Sequence, residues 1–210
     1  MSNAYRSWES SHQCLVHYVS AMPSQLYYVT QTFLNKENFP GGSFHMRHLK
    51  LAGPDKINLI KSIMDFVKHD GSEKHKTAVI ENILTYAPIK QQFIMVGDSG
   101  ELDPEIYGDI ARKYSDRIKM IFIRIVQGGK NNNNRFEIAF KNVSQDKWKL
   151  FSNANELPEK LFDNENSINE YDGNNHVNSA ESNTENILST SLFYTIIAAL
   201  LNLLFILTYV

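Results

Sequence analysis

The 210-residue chain has a single cysteine, Cys14, so neither an internal disulfide framework nor a cysteine-based zinc cluster is open to it. It has no apolar run near its amino terminus, and so no visible secretory signal. It has no strong excess of either charge, its net charge being −2, and no nucleic-acid partner is expected. Charge of both signs is absent from residues 187 to 210. What remains, 24.1 kDa with 42% hydrophobic residues, suits one globular domain of moderate size.

The near-neutral average hides three regions. Residues 1–151 carry 20 Lys and Arg against 15 Asp and Glu, whereas 152–186 carry eight acids against Lys160 alone. The expected organisation is therefore a mildly basic domain (1–151), an acidic Asn-rich linker (152–191) and an apolar segment (192–210). The linker holds ten Asn and few large apolar side chains after Phe162, too little to offset its ordering entropy. Within it, Glu156-Leu157-Pro158 through Phe162 is a stretch able to dock on the domain. The run Asn131 to Asn134 reads as a low-complexity insertion in a surface loop, without chemistry of its own.

From Leu192 to Val210 the polar interruptions are Thr195, Asn202 and Thr208. As a helix this segment would reach roughly 28 Å, close to the hydrocarbon thickness of a bilayer. It is expected to be a single transmembrane helix, because a core helix rarely stays apolar on every face for this length. Two modes of attachment fit. A tail anchor would leave the domain in the cytosol; a glycolipid-anchor signal would use the small residues Asn178-Ser179-Ala180. The second needs entry to the secretory pathway, so the tail anchor is preferred.

In the domain, apolar runs of strand length at Leu15 to Val19, Phe93 to Val96 and Ile118 to Val126 alternate with helical periodicity. Leu26, Val29 and Phe33 form one stripe; Val79, Ile80, Ile83 and Leu84 a second; Ile106, Ile110 and Tyr114 a third. Alternation of this kind predicts an α/β fold with a mostly parallel sheet. Sites in such sheets lie where strands end.

Ser20 follows the first strand, where it either caps the next helix or meets a phosphate oxygen. The second strand runs into Gly97-Asp98-Ser99-Gly100-Glu101-Leu102-Asp103-Pro104-Glu105. Its two separated aspartates, Asp98 and Asp103, suit Mg²⁺, and equally suit a turn and a helix cap. Lys76 shares a helix face with Ile80 and Ile83, placed to reach a phosphoryl group or to extend into solvent. Arg47 follows a Pro-Gly-Gly turn and suits either a headgroup phosphate or a structural ion pair.

Taken together, Val16-His17-Tyr18-Val19-Ser20-Ala21-Met22-Pro23, Asn38-Phe39-Pro40-Gly41-Gly42-Ser43-Phe44-His45-Met46-Arg47, His75-Lys76 and Phe93 to Tyr107 resemble one family. It is that of the catalytic domains of actin-patch-associated phosphatidate phosphatases, a branch of the haloacid dehalogenase superfamily. The resemblance covers about residues 4–126. It implies a haloacid-dehalogenase-like Rossmannoid sheet and Mg²⁺-dependent removal of phosphate from phosphatidate, leaving diacylglycerol, through an aspartyl-phosphate. It assigns Ser20 to the phosphoryl-binding hydroxyl, Lys76 to the charge-balancing lysine, and Asp98 and Asp103 to the metal-holding acids, making these four the expected catalytic residues. Phosphatidate or a related lipid phosphate, and a membrane, are the implied partners.

The resemblance fails at its centre. No Asp-x-Asp-x-Thr sequence occurs in the chain, so the family's nucleophile and its acid/base partner are missing. In the family this motif lies upstream of a segment resembling Tyr5-Arg6-Ser7-Trp8, and it rides on the central strand. Met1 is then an internal methionine of a longer frame, a wrongly assigned start, or the true start of a degenerate copy. Without the central strand the sheet is expected to be incomplete, with unpaired edges on its neighbours. Ile125 is a second departure, since an aspartate usually follows the arginine there. Three functions compete: a membrane-tethered phosphatase lacking its catalytic start, a non-catalytic lipid-phosphate-binding or regulatory remnant, and a fragment that does not fold stably.

Overall fold

The computed structural model describes residues 1–48, 71–129, 131–161 and 204–209. Helix α1 (Ser2–His12) leads through Gln13, in the left-handed conformation, into strand β1 (Leu15–Pro23). A 3-10 turn, Ser24–Leu26, opens into α2 (Tyr27–Lys36), followed by β2 (Ser43–Arg47). Then come α3 (Gly71–Tyr86), β3 (Gln92–Asp98), α4 (Asp103–Lys113), β4 (Ile118–Arg124), α5 (Asn133–Ala139) and β5 (Trp148–Phe151). The last described strand is β6 (Leu204–Tyr209).

The six strands form one sheet in the order β2-β1-β6-β3-β4-β5. Parallel pairing joins β1 to β2, β3 to β4 and β4 to β5, as the strand–helix alternation predicts. This is a mixed α/β architecture compatible with a Rossmann-like fold. Strand β3 is buried along nearly its whole length, which is why Phe93-Ile94-Met95-Val96 reads as an unbroken apolar run rather than an alternating one.

The sheet has an apolar core on each face. One contains Val19, Phe93, Met95 and Ile121 with Ile80 and Leu84 of α3, Ile106 and Ile110 of α4, and Phe136 of α5. The other contains Val16, Tyr18, Ile94, Val96 and Phe122 with Tyr5 and Trp8 of α1 and Leu34 of α2. Trp8 stacks on Phe122 at 5.6 Å between centroids, and its indole N–H donates to the Pro158 carbonyl at 2.7 Å. Residues 154–157 accordingly lie on the domain: Ala154–Glu156 form a capped 3-10 turn and Leu157 is buried. The start of the expected linker thus docks on the domain, as expected for the stretch from Glu156-Leu157-Pro158; 162–191 lie outside the described residues.

β6 bears on two expectations. The gap between β1 and β3 is filled: β6 pairs antiparallel with both, Leu204 to Thr208 against Val19 to Leu15, and Phe205 to Tyr209 against Val96 to Gln92. Residues 204–209, inside the segment 192–210 expected to be a transmembrane helix, form this strand, and no transmembrane helix is shown there. The segment is rich in Phe, Ile, Thr and Tyr, types that suit strands, and two strand edges flank it. Residues 192–203 and 210 lie outside the described residues. Among the described residues no helix is long and apolar enough to cross a membrane.

A partial correction concerns Asn131 to Asn134. Asn132 is the N-cap of α5, its side chain accepting the Asn134 N–H, so Asn131 and Asn132 remain in the loop while Asn133 and Asn134 begin a helix.

Candidate active site

Because β1, β2, β3 and β4 run in one direction, their carboxyl ends share one edge of the sheet, and Ser20, Arg47 and Asp98 all lie toward it. At the end of β3 the chain turns sharply. Asp98 Oδ1 accepts the Gly100 N–H at 2.8 Å, and the Ser99 N–H donates to the Arg124 carbonyl at 2.9 Å. Gly97 lets α4 begin against the strand, since a Cβ there would sit 2.7 Å from Asp103 Oδ2 and 2.8 Å from Asp103 Cβ. Tyr107, one α4 turn further on, donates to the Val96 carbonyl at 3.1 Å.

Lys76 and Asp103, each 1% exposed, form the centre. Lys76 Nζ lies 2.7 Å from Asp103 Oδ1 and 2.7 Å from Glu101 Oε2. Asp103 Oδ2 in turn accepts the Asp98 N–H at 3.1 Å. Burial favours the neutral amine, but the Asp103 and Glu101 carboxylates outweigh it and hold the Lys76 pKa above the ordinary lysine range. Lys76 is thus an ammonium ion throughout the physiological range. Burial pushes the Asp103 carboxyl upward, with Lys76 opposing that shift.

Lys76 therefore does not snorkel into solvent; it lies inside, tied to the β3 loop. Asp103 is the first residue of α4, but its side chain serves Lys76 and Asp98 instead of capping the helix.

Ser20 is not a helix cap. Strand β1 continues to Pro23, so Ser20 lies in the strand and not at a helix start. It is buried, and its Oγ accepts the Met22 N–H at 3.1 Å where the β1–β2 register slips between Ser20 and Pro23. His75, one residue before Lys76, ties the two sides of the site together. Its Nε2 is 3.4 Å from the His45 carbonyl, and its titration is governed by burial and by hydrogen bonds to the His45 and Ser20 backbone, with the Arg47 charge nearby. The net effect lowers the His75 pKa and keeps the ring neutral near pH 7. Arg47 sits beside Pro23 in the β1–β2 pairing.

Arg135 was not legible as a site residue, because it follows the Asn run. Its Nε and Nη2 grip Glu105 Oε1 and Oε2 at 2.7 and 2.8 Å. Its Nη1 donates to the Ser99 carbonyl at 2.8 Å, and Nη2 also donates to the Glu101 carbonyl. One guanidinium thus pins both ends of the 99–101 turn. Ser99 Oγ accepts the Val126 N–H at 3.0 Å, fixing the loop to the end of β4. The signal available in the sequence was weak: a helix-capping Asn132 followed by an Arg, with its acidic partner 30 residues earlier.

The loop and its partners hold four carboxylates (Asp98, Glu101, Asp103, Glu105) against two cations (Lys76, Arg135), an excess of acid that suits a metal cation. Mg²⁺ needs only one or two carboxylates when phosphate oxygens and water complete its shell. Asp98 fits as such a donor. Both Asp103 oxygens already accept hydrogen bonds, so Asp103 fits as the counter-ion of Lys76 more than as a ligand. Among the described residues no group of three or more His, Cys, Asp or Glu side chains is arranged to hold a metal ion.

A model of the catalytic domain of phosphatidate phosphatase APP1 matches residues 1–125, from α1 to the residue after β4. The chain belongs to that family. It is 35% identical over 107 residues to phosphatidate phosphatase APP1 of Saccharomyces cerevisiae, and 27% identical over 112 residues to an uncharacterised protein of Schizosaccharomyces pombe. These alignments cover 51% and 53% of this chain but only 16% of each relative. No solved structure matches it. The APP1 match includes every element that carries the site except α5, so Arg135 lies beyond it.

Proposed function

We propose that the site acts on the phosphate of phosphatidate, as the name of the yeast relative indicates for that protein, through the phosphoryl chemistry of the haloacid dehalogenase superfamily. The observation that carries this reading is the buried Lys76–Asp103 pair set between the ends of β1 and β3, a fixed positive group where a phosphoryl group and an attacking carboxylate would meet. Phosphoryl transfer is served mainly by positioning and charge neutralisation, and a buried ammonium held by two carboxylates is well suited to both.

In this reading Asp98 holds Mg²⁺, which when bound neutralises phosphate charge. Lys76 balances the remaining charge, Asp103 orients Lys76, and Ser20 hydrogen-bonds a phosphoryl oxygen. Arg47, at the end of β2, is the candidate headgroup contact. The nucleophile itself belongs to an Asp-x-Asp-x-Thr strand that this sequence lacks. The position for such a strand, between β1 and β3, is the one β6 occupies. Phosphatidate is a membrane lipid, so turnover takes place at a bilayer surface. Residues 192–210 are long and uncharged enough to serve as the anchor, but only when 204–209 leave the sheet.

The test starts with the 5′ end of the message. An upstream in-frame Asp-x-Asp-x-Thr is expected, and the longer protein should release phosphate from phosphatidate with Mg²⁺ and not with EDTA, the activity disappearing in Asp98→Asn. An in-frame stop just upstream of Met1 in mature message, or a folded longer protein that releases no phosphate, would sink the proposal. Headgroup binding by that protein without turnover would mark a binding module instead.

A further inference from the structure

Strands β1 and β2 bring a second chemical group together, apart from the carboxylate loop. Alternate residues of a strand share a face, and the parallel register sets His17 beside Ser43 and Val19 beside His45. His17, Ser43 and His45 therefore project from one face of the sheet. His17 Nδ1 lies 2.6 Å from Ser43 Oγ and 3.2 Å from His45 Nε2, while Ser43 Oγ lies 3.1 Å from the same Nε2. Two imidazole nitrogens and one hydroxyl oxygen make a triangle with every side at hydrogen-bond length.

Two sides of that triangle, 3.2 Å between the ring nitrogens and 3.1 Å from Ser43 Oγ to His45 Nε2, approach the edge of a tetrahedral metal site, while the 2.6 Å side is a hydrogen bond that a bound ion would open. With Zn–N bonds of about 2.0–2.1 Å, two ligating nitrogens stand roughly 3.3 Å apart. The rings are tilted at 41° with centroids 5.4 Å apart, so they meet edge to edge at their nitrogens instead of stacking. Both rings are half-buried and stay neutral: burial, then the neighbouring His45, brings His17 down to about 4, and burial lowers His45. Neutral imidazole is the ligating form, so protons do not compete with a metal near pH 7. The donors are nitrogen-rich and include no carboxylate, which selects a borderline transition metal over Mg²⁺ or Ca²⁺.

We propose that His17 Nδ1, His45 Nε2 and Ser43 Oγ form a binding site for a divalent transition metal of the Zn²⁺ type, with water completing a four-coordinate shell. β2 is a five-residue edge strand. A bound ion would clip it to β1, three residues before Ser20, and hold Arg47 at its end. The site does not depend on the phosphatase reading, since none of its ligands is placed in that machinery.

The metal-stripped full chain should be titrated with Zn²⁺ calorimetrically in excess Mg²⁺, which covers the carboxylate loop. One saturable Zn²⁺ per chain is expected, weakened at least about tenfold by His17→Gln and by His45→Gln and unchanged by His12→Gln. No saturable binding, or binding that survives both substitutions, overturns the proposal. If either variant fails to fold by circular dichroism, Co²⁺ added to the wild-type chain decides. The intense visible absorption of four-coordinate Co²⁺ supports the site, and the weak spectrum of six-coordinate Co²⁺, or none, refutes it.

Discussion

Replacing Lys76 by methionine keeps the length and most of the volume of the side chain and removes only its charge. Glu101 is 26% exposed and can turn toward water, but Asp103 at 1% cannot. Asp103 would be left as a buried carboxylate that accepts the Asp98 N–H but has lost its counter-ion. Breaking a buried pair from one side typically costs about 3–5 kcal/mol, and the freedom of Glu101 puts this case near about 3 kcal/mol. For a chain of this size that is a fall in Tm of about 6–12 °C, read by thermal and urea unfolding.

The pH dependence separates lost electrostatics from lost packing. The Asp103 carboxyl already sits above its ordinary pKa through burial, and removing Lys76 removes what opposes that shift. A group whose folded pKa exceeds its unfolded value contributes stability below the unfolded pKa that is lost as pH rises through the folded one. The Lys76→Met penalty should therefore shrink as pH is lowered from 7 toward the carboxylate range. Adding Asp103→Asn should recover part of it at pH 7. A Lys76→Met penalty below about 1 kcal/mol, or one flat in pH, would refute the buried-pair reasoning.

Gly97→Ala should cost about 1–3 kcal/mol in urea unfolding, because its Cβ would meet the Asp103 side chain and push the start of α4 away. Arg135→Leu should free the 99–101 turn: amide exchange at Gly100 to Leu102 should accelerate, with a stability loss of about 2 kcal/mol from the severed charged hydrogen bonds. Unchanged exchange there would show that Gly97, Ser99 and Asp98 hold the turn without it. Ile206→Pro tests β6. Ile206 pairs with His17 on one side and Met95 on the other, so a proline removes a ladder hydrogen bond from the middle of the sheet. A cost of about 3 kcal/mol or more is expected, and a stability equal to wild type would show that the sheet does not need this strand.

The parallel strands and the helices on the site-bearing face were legible because they are buried. Continuous apolar runs such as Phe93 to Val96, and stripes at helical spacing such as Val79, Ile80 and Ile83, record burial directly. Edge elements were missed for the converse reason: Ser43–Arg47 and Trp148–Phe151 are short and half-solvated, and their sequences carry little period. Asp98, Asp103 and Lys76 were nameable from the loop motif and the resemblance. What no local pattern contained was which atom each one serves. Lys76 meets Asp103 across 27 residues and Arg135 meets Glu105 across 30, contacts fixed by the crossover of the chain and not by spacing along it. Ser20 was misplaced because Pro23 resembles a helix start, whereas here it ends a strand.

The apolar residues at 204–209 carry the main departure from expectation, and it follows from a competition. A segment with Phe, Ile, Thr and Tyr and no charge has two ways to remove its backbone from water: as part of a helix across a bilayer, or as a strand between two open edges. Pairing with both β1 and β3 satisfies its own backbone and closes both edges at once, whereas membrane insertion satisfies only its own. The sheet is therefore the better resting place while the slot is open. A strand carrying an Asp-x-Asp-x-Thr motif would take that slot with the polarity of its neighbours, all of them parallel, and displace an antiparallel occupant.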